Sequence, residues 1–232
     1  MKPTSGFRRQ RTYSNVRGDT AISILRVEIK RLQAELGITT FYVTHDQAEA
    51  MTLGERIAVM KDGLIRQAGR PMDVYQSPAD TFVAGFIGTP AMNFFAGRIV
   101  RKEGHLVFEA GDRFELPVPA DRSPALEAYA DRPITLGIRP EHIGSSAAEQ
   151  SETAGRIPSR VEAVEPMGAE TYVHLSAGAT RFVARAESGC QLMAGQDAAA
   201  AVLPEKAHFF DPETEEAVGC PFSQRQESSR CR

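Results

Sequence analysis

The chain has 232 residues, 42% of them hydrophobic and 25% charged, which places it with folded globular proteins of one or two domains. Its formal net charge of -3 argues against a protein that coats nucleic acid, because phosphate binding needs a basic surface. Cys190, Cys220 and Cys231 are too few and too widely spaced for a disulfide framework or a zinc pattern, and they fit a reducing cytoplasm. No apolar run approaches the roughly 20 residues needed to cross a bilayer, and Met1 to Gly6 does not lead into a signal-peptide core. Any link to a membrane is therefore expected to run through a partner protein.

Residues 1–21 are polar and basic, with Arg8, Arg9, Arg11 and Arg17, and read as a disordered arm. From Ile22 the pattern turns helical. Ile22, Leu25, Ile29, Leu32 and Leu36 recur at steps of three and four, and Gly37 stands where a left-handed cap is wanted. Residues 38–43, Ile-Thr-Thr-Phe-Tyr-Val, read as a largely buried strand that stops at His45. Thr44 and Gln47 have the spacing of a capping box, so a helix is expected from about Asp46, with Ala48, Ala50 and Met51 inward. A strand over 56–60 then turns at Asp62-Gly63 into residues 64–67. Pro71 opens a short helix to Gln76, and a second helix over 79–87 gathers Phe82, Val83 and Phe86.

Gly88-Thr89-Pro90 reads as a domain boundary, because the texture changes beyond it. Short β-prone runs follow at 93–100, 105–109, 113–118, 134–138, 157–165, 171–175, 181–186, 198–203 and 208–210, the spacing of a small barrel or sandwich. One helical patch is expected at 124–130, a loop over 143–155, and a disordered tail over 219–232.

Several of these strings resemble a known family. Phe41-Tyr42-Val43-Thr44-His45-Asp46-Gln47-Ala48-Glu49-Ala50-Met51-Thr52-Leu53 is similar to the switch-histidine segment of ATP-binding-cassette (ABC) subunits. The likeness is to those of bacterial importers for maltose-type sugars and sn-glycerol 3-phosphate. Residues 74–88 resemble the family's next segment, and Pro90-Ala91-Met92-Asn93-Phe94 its entry into the regulatory domain. Leu136-Gly137-Ile138-Arg139-Pro140-Glu141-His142-Ile143 resembles that domain's hallmark, and 165–171 and 208–214 follow in family order. The resemblance covers about Leu25 to Val218. It implies an α/β remnant of an ABC nucleotide-binding domain over 22–89, then an all-β, OB-like (TOBE-type) regulatory domain over 90–218. It also implies a homodimer on the cytoplasmic face of the plasma membrane, bound to membrane-spanning permease subunits. ATP and Mg²⁺ serve the intact family, with His45 as catalytic switch histidine at the γ-phosphate.

The chain departs from the family in three respects. The phosphate loop G-x-x-x-x-G-K-[ST] is missing, and no Gly-Lys dipeptide occurs. An apolar strand ending in Asp-Glu and a Ser-Gly-Gly-Gln signature are missing too; Ser188-Gly189-Cys190-Gln191 reads as a turn. The expectation is the C-terminal part of an importer ATPase that neither binds ATP tightly nor hydrolyses it alone. The rival reading is a standalone, non-enzymatic OB-like module for a small anion, a sugar-phosphate or a protein partner. His105, His142, His174 and His208 lack metal-ligand spacing, so no metal site is expected. Two readings stand for Arg139 and Glu141, an anion-binding pair or, the favoured one, structural contacts at a domain junction beside a turn fixed by Pro140. Tyr172 and Phe182 read as cross-strand packing.

Overall fold

The computed structural model describes residues 16–111, 114–144 and 146–219, with side chains from Leu25 onward except those of 146 and 147. An α/β segment comes first. Helix α1 (Val16–Leu36) ends at Gly37, whose φ of 61° only glycine adopts cheaply, and whose N–H returns to the Gln33 carbonyl at 3.0 Å. Helix α2 (Gln47–Leu53) is followed by a hairpin, β1 (Ile57–Lys61) and β2 (Leu64–Gly69), turning through Asp62 and Gly63 at φ 51° and 79°. These positive angles are those of a tight primed turn, as Asp-Gly predicts. Helices α3 (Pro71–Gln76) and α4 (Thr81–Phe86) complete the segment.

A small core holds it together. Ile57 and Val59 alternate inward from β1 and meet Val74, Val83 and Ile87, with Ala50, Met51, Tyr75 and Phe82 at its margin. Ala48, expected inward, is exposed. Asp80 caps α4 by accepting the Val83 N–H at 2.8 Å, and its other carboxylate oxygen takes the Arg66 guanidinium at 2.6 Å. A buried carboxylate is thereby both hydrogen-bonded and charge-paired, as burial demands.

The expected strand over 38–43 does not form. Phe41 is 93% exposed and Val43 96%. Strand-prone residues need a neighbour to pair with, and none of the described strands lies beside them. The stripe on α1 is uncovered for the same reason, with Leu25, Leu32 and Leu36 all exposed.

The remaining residues form two sheets. The six-stranded sheet has the order β12-β11-β6-β3-β4-β5, built from β3 (Asn93–Lys102), β4 (His105–Glu109), β5 (Glu115–Pro117), β6 (Pro133–Ile138), β11 (His208–Phe210) and β12 (Ala217–Val218). The four-stranded sheet has the order β10-β7-β8-β9, from β7 (Gly155–Pro166), β8 (Glu170–Ala177), β9 (Thr180–Glu187) and β10 (Asp197–Val202). All pairings between these strands are antiparallel. One core lies between the sheets, joining Phe95, Phe108, Leu136 and Ile138 of the first to Ile157, Val173, Leu175 and Phe182 of the second. The expected helical patch is α5 (Ser123–Leu126), continued by a 3-10 turn over Glu127–Tyr129. The stretch expected as pure loop contains a short helix, α6 (Ser146–Gln150), whose Ala148 packs on Ala201 and Leu203. Five residues are too few to show a helical period in sequence.

One side chain stitches the sheets together. Buried Asn93 donates from Nδ2 to the Val183 carbonyl and accepts the Val183 N–H at Oδ1, each at 2.8 Å. A carboxamide here imitates a strand and completes the open edge of β9. Asn93→Ala leaves both groups unpaired and is expected to cost about 2 kcal/mol or more, read as a lowered urea midpoint. Gly97 is the second tight point: a Cβ there would lie 2.4 Å from Phe108 Cζ and 2.5 Å from the Glu109 carbonyl oxygen. Gly97→Ala should therefore lose about 1–3 kcal/mol in the same measurement.

Candidate functional site

His45 sits in an exposed bend between the unpaired residues 38–44 and α2. The turn around it is ordered by polar side chains. Asp46 is the cap of α2, its Oδ1 accepting from the Ala48 and Glu49 N–H groups at 2.7 and 3.1 Å. Thr44 Oγ1 accepts the Asp46 N–H at 2.9 Å and donates to Glu49 Oε2 at 2.7 Å. Tyr42 donates to the same carboxylate oxygen at 3.0 Å, which raises the phenol's pKa because the neighbouring charge disfavours phenolate. Arg26 of α1 reaches Asp46 at 3.3 Å. The Thr44–Gln47 capping box is not formed: Asp46 has taken the cap. Gln47 instead accepts the N–H of Gly88 through Oε1 at 2.8 Å, across 41 residues of chain.

That bond leads to the junction between the α/β segment and the sheets. Arg139 follows β6 and is 2% exposed. Its Nη1 donates to the Ile87 carbonyl at 2.7 Å and its Nη2 to the Tyr75 carbonyl at 2.5 Å. The guanidinium lies over the Tyr75 ring, 3.7 Å from its centroid, and the Tyr75 hydroxyl donates to Glu141. Burial and the Glu141 hydrogen bond push the Tyr75 phenol up to about 12. Burial also lowers the pKa of Arg139 from its ordinary value. Arg139 and Glu141 make structural contacts at the junction, the favoured reading from sequence, and their partners are Tyr75 of α3 and, for Arg139, Ile87 at the end of α4.

The other histidines are dispersed. His174 faces Glu165 at 3.4 Å on the four-stranded sheet. His142 and His208 lie near Arg139, and burial depresses both, His208 to about 3 with the Arg139, Arg122 and His142 charges adding to the effect. Among the described residues, no group of three His, Cys, Asp or Glu side chains is placed to hold a metal. Residues 188–189 form a turn after β9, with Gly189 at φ 91°, and Cys190 is a free thiol packed against the core. Cys220 and Cys231 lie outside the described residues. Tyr172 and Phe182 lie on paired strands; Phe182 is core and Tyr172 donates to Glu170 at 2.7 Å. A shallow hollow of about 520 Å³, lined by Ser159, Arg160, Ser176 and Asp197 among others, includes neither His45 nor Arg139.

Comparison with known proteins gives this geometry its relatives. The MalK OB fold domain matches residues 88–143 and the TOBE domain matches 136–210. The trehalose/maltose import ATP-binding protein MalK of Thermococcus litoralis is 41% identical over 198 residues, covering 84% of this chain and 52% of the relative. The chain is homologous to the ATP-binding subunits of ABC transporters. The sulfoquinovosyl glycerol transport ATP-binding protein SmoE of Agrobacterium fabrum is 40% identical over 194 residues, with 84% and 52% covered. The uncharacterised ABC transporter ATP-binding protein YurJ of Bacillus subtilis is 40% identical over 196 residues, with 84% and 53% covered. The chain therefore spans about half the length of the relatives it matches, and it fits their C-terminal part. Among solved structures, the molybdate-binding protein ModG superposes with a TM-score of 0.42 at 15% identity, over 50% of this chain and 94% of that one.

The described residues do not fit ATP with Mg²⁺. Beside His45 stand two carboxylates already engaged, Asp46 by the helix cap and Arg26, Glu49 by Tyr42 and Thr44. No glycine-rich loop or lysine cradles a phosphate there, and a triphosphate would meet negative charge.

The depressed His208 makes a pH prediction. An exposed histidine titrates near 6.5, whereas His208 in the fold titrates near 3. Between those values the unfolded chain binds a proton that the folded chain does not, so stability falls as pH falls through that window. His208→Gln removes this contribution. The loss of unfolding free energy between about pH 7 and about pH 4.5 should be smaller in the variant than in the parent, measured by urea titration at each pH.

Proposed function

We propose that this chain is the C-terminal part of the ATP-hydrolysing subunit of an ABC importer for sugars or sn-glycerol 3-phosphate. In that role residues 22–89 contribute His45 as the switch histidine, and residues 90–218 contribute a regulatory and dimerisation domain. The partners are permease subunits at the inner face of the plasma membrane. Among the described residues no helix is long and apolar enough to cross a membrane.

The observation that carries this reading is the exposed run from Ile38 to Val43 leading into His45. A strand-forming sequence with Phe41 and Val43 almost wholly in water is a buried strand without its sheet. Only 52–53% of each relative is matched by this chain, and the unmatched part is the natural source of that sheet. His45 acts on the γ-phosphate only when the missing phosphate loop and metal site are supplied with it.

Alone, the chain is not expected to bind or hydrolyse ATP. Calorimetric titration with Mg·ATP should show no saturable binding, and a phosphate-release assay no steady turnover. Low-micromolar affinity or sustained release would overturn the reading. The rival, a standalone OB-like module that binds a small anion, a sugar-phosphate or a protein partner, draws support from one feature: the β sheets close a continuous core without help from residues 16–53.

A further inference from the structure

The Gln47 bond is the least expected contact near His45. Its local use was available, since Thr44-x-x-Gln47 has capping-box spacing. Asp46 performs that task, and Gln47 reaches Gly88 instead. Gly88 in turn has no room for a side chain: at φ 127° a Cβ would stand 2.7 Å from Arg139 Nη1. The neighbouring Ile87 carbonyl is the acceptor of that same Nη1, and Tyr75 joins Arg139 to Glu141. An unbroken series of close contacts runs from the residue two past His45 to the turn after β6.

We infer that Gln47, Gly88 and Arg139 form a tether through which the β region sets the position of the His45 turn. Gln47 and Arg139 are positioning residues; neither is assigned contact with a substrate. The remaining anchors of the turn belong to the α/β segment itself: Arg26, Thr44, Glu49 and the small core under α2. The hydrogen bond that Gly88 N–H donates to Gln47 Oε1 is therefore the polar connection by which a change at Arg139 reaches residues 45–49, beside the apolar contact of Ile87 and Tyr75 with Ala50 and Met51. Its direction is reciprocal, because a coupling free energy acts equally on both ends. The functional meaning rests on His45 being the switch histidine, as proposed above. The coupling itself does not involve nucleotide.

The test is amide hydrogen exchange on the full chain, comparing parent, Arg139→Lys, Gln47→Ala and the double variant. Lysine keeps the charge but loses the two-pronged grip on Ile87 and Tyr75. Exchange at residues 46–49 should rise about two- to tenfold in Arg139→Lys, the range of a single net hydrogen bond. That increase should be clearly smaller when Gln47 is already alanine, the core contact of Ile87 with Ala50 and Met51 carrying what remains. Gln47→Ala is a half-buried change expected to fold, and it supplies the reciprocal reading: faster exchange at Gly88 and at 138–142, with β7 to β9 unchanged. No response at 46–49, an equal response in both backgrounds, or a silent junction in Gln47→Ala overturns the tether. Because no nucleotide is used, that failure is separate from any failure of the ATPase reading.

Discussion

A guanidinium removed from water must be repaid in hydrogen bonds, and at Arg139 the repayment comes from the main chain of another part of the molecule. The Ile87 and Tyr75 carbonyls accept its two terminal nitrogens, the Tyr75 ring covers one face, and Glu141 supplies charge nearby. Nε has no hydrogen-bond partner among the described residues. Such an arrangement tolerates little displacement, since moving either carbonyl strands a buried charge. Part of the placement of α3 and α4 against the sheets follows from it, the rest from Ala84 packed on Met92 and Phe210 and from the Thr81 N–H bonded to the Glu215 carbonyl. So does the glycine at 88, which clears the space the guanidinium fills.

The two halves of the chain are unequal in how they satisfy themselves. The β sheets enclose aromatic and aliphatic side chains from both layers, with Phe95 meeting Phe114 and Phe182 edge-on at 5.3 Å. The α/β segment closes only a small core and leaves Leu25, Leu32, Leu36 and the run to Val43 in water. Exposed apolar surface of this kind is what an interaction face presents. The molecule thus contains a region complete in itself and a region whose sequence anticipates contacts that these residues do not make.

This contrast explains what was legible in sequence. The strand His105–Glu109 was read to the residue, because alternation and flanking turns act locally. Asp62-Gly63 declared its turn for the same reason. Residues 38–43 failed because a strand is a pairing, and propensity says nothing of whether the partner is present. The two-residue strand Ala217–Val218 and the helix Ser146–Gln150 were too short to carry a period. At the site, His45 was conspicuous from its flanking string. The reach of Gln47 to Gly88 and the grip of Arg139 were invisible, since they join residues 41 and 52 apart by tertiary geometry alone.

The Asn93 amide has a consequence in time. Its partner, Val183, is 90 residues later in the chain. At a synthesis rate of about 5–20 residues per second, β3 leaves the ribosome roughly 5–20 seconds before the strand that its side chain completes. During that interval Asn93 and the apolar face of β3 wait without the second sheet. Closure of the shared core is therefore a late event, and its speed is governed by a long loop rather than by any local turn.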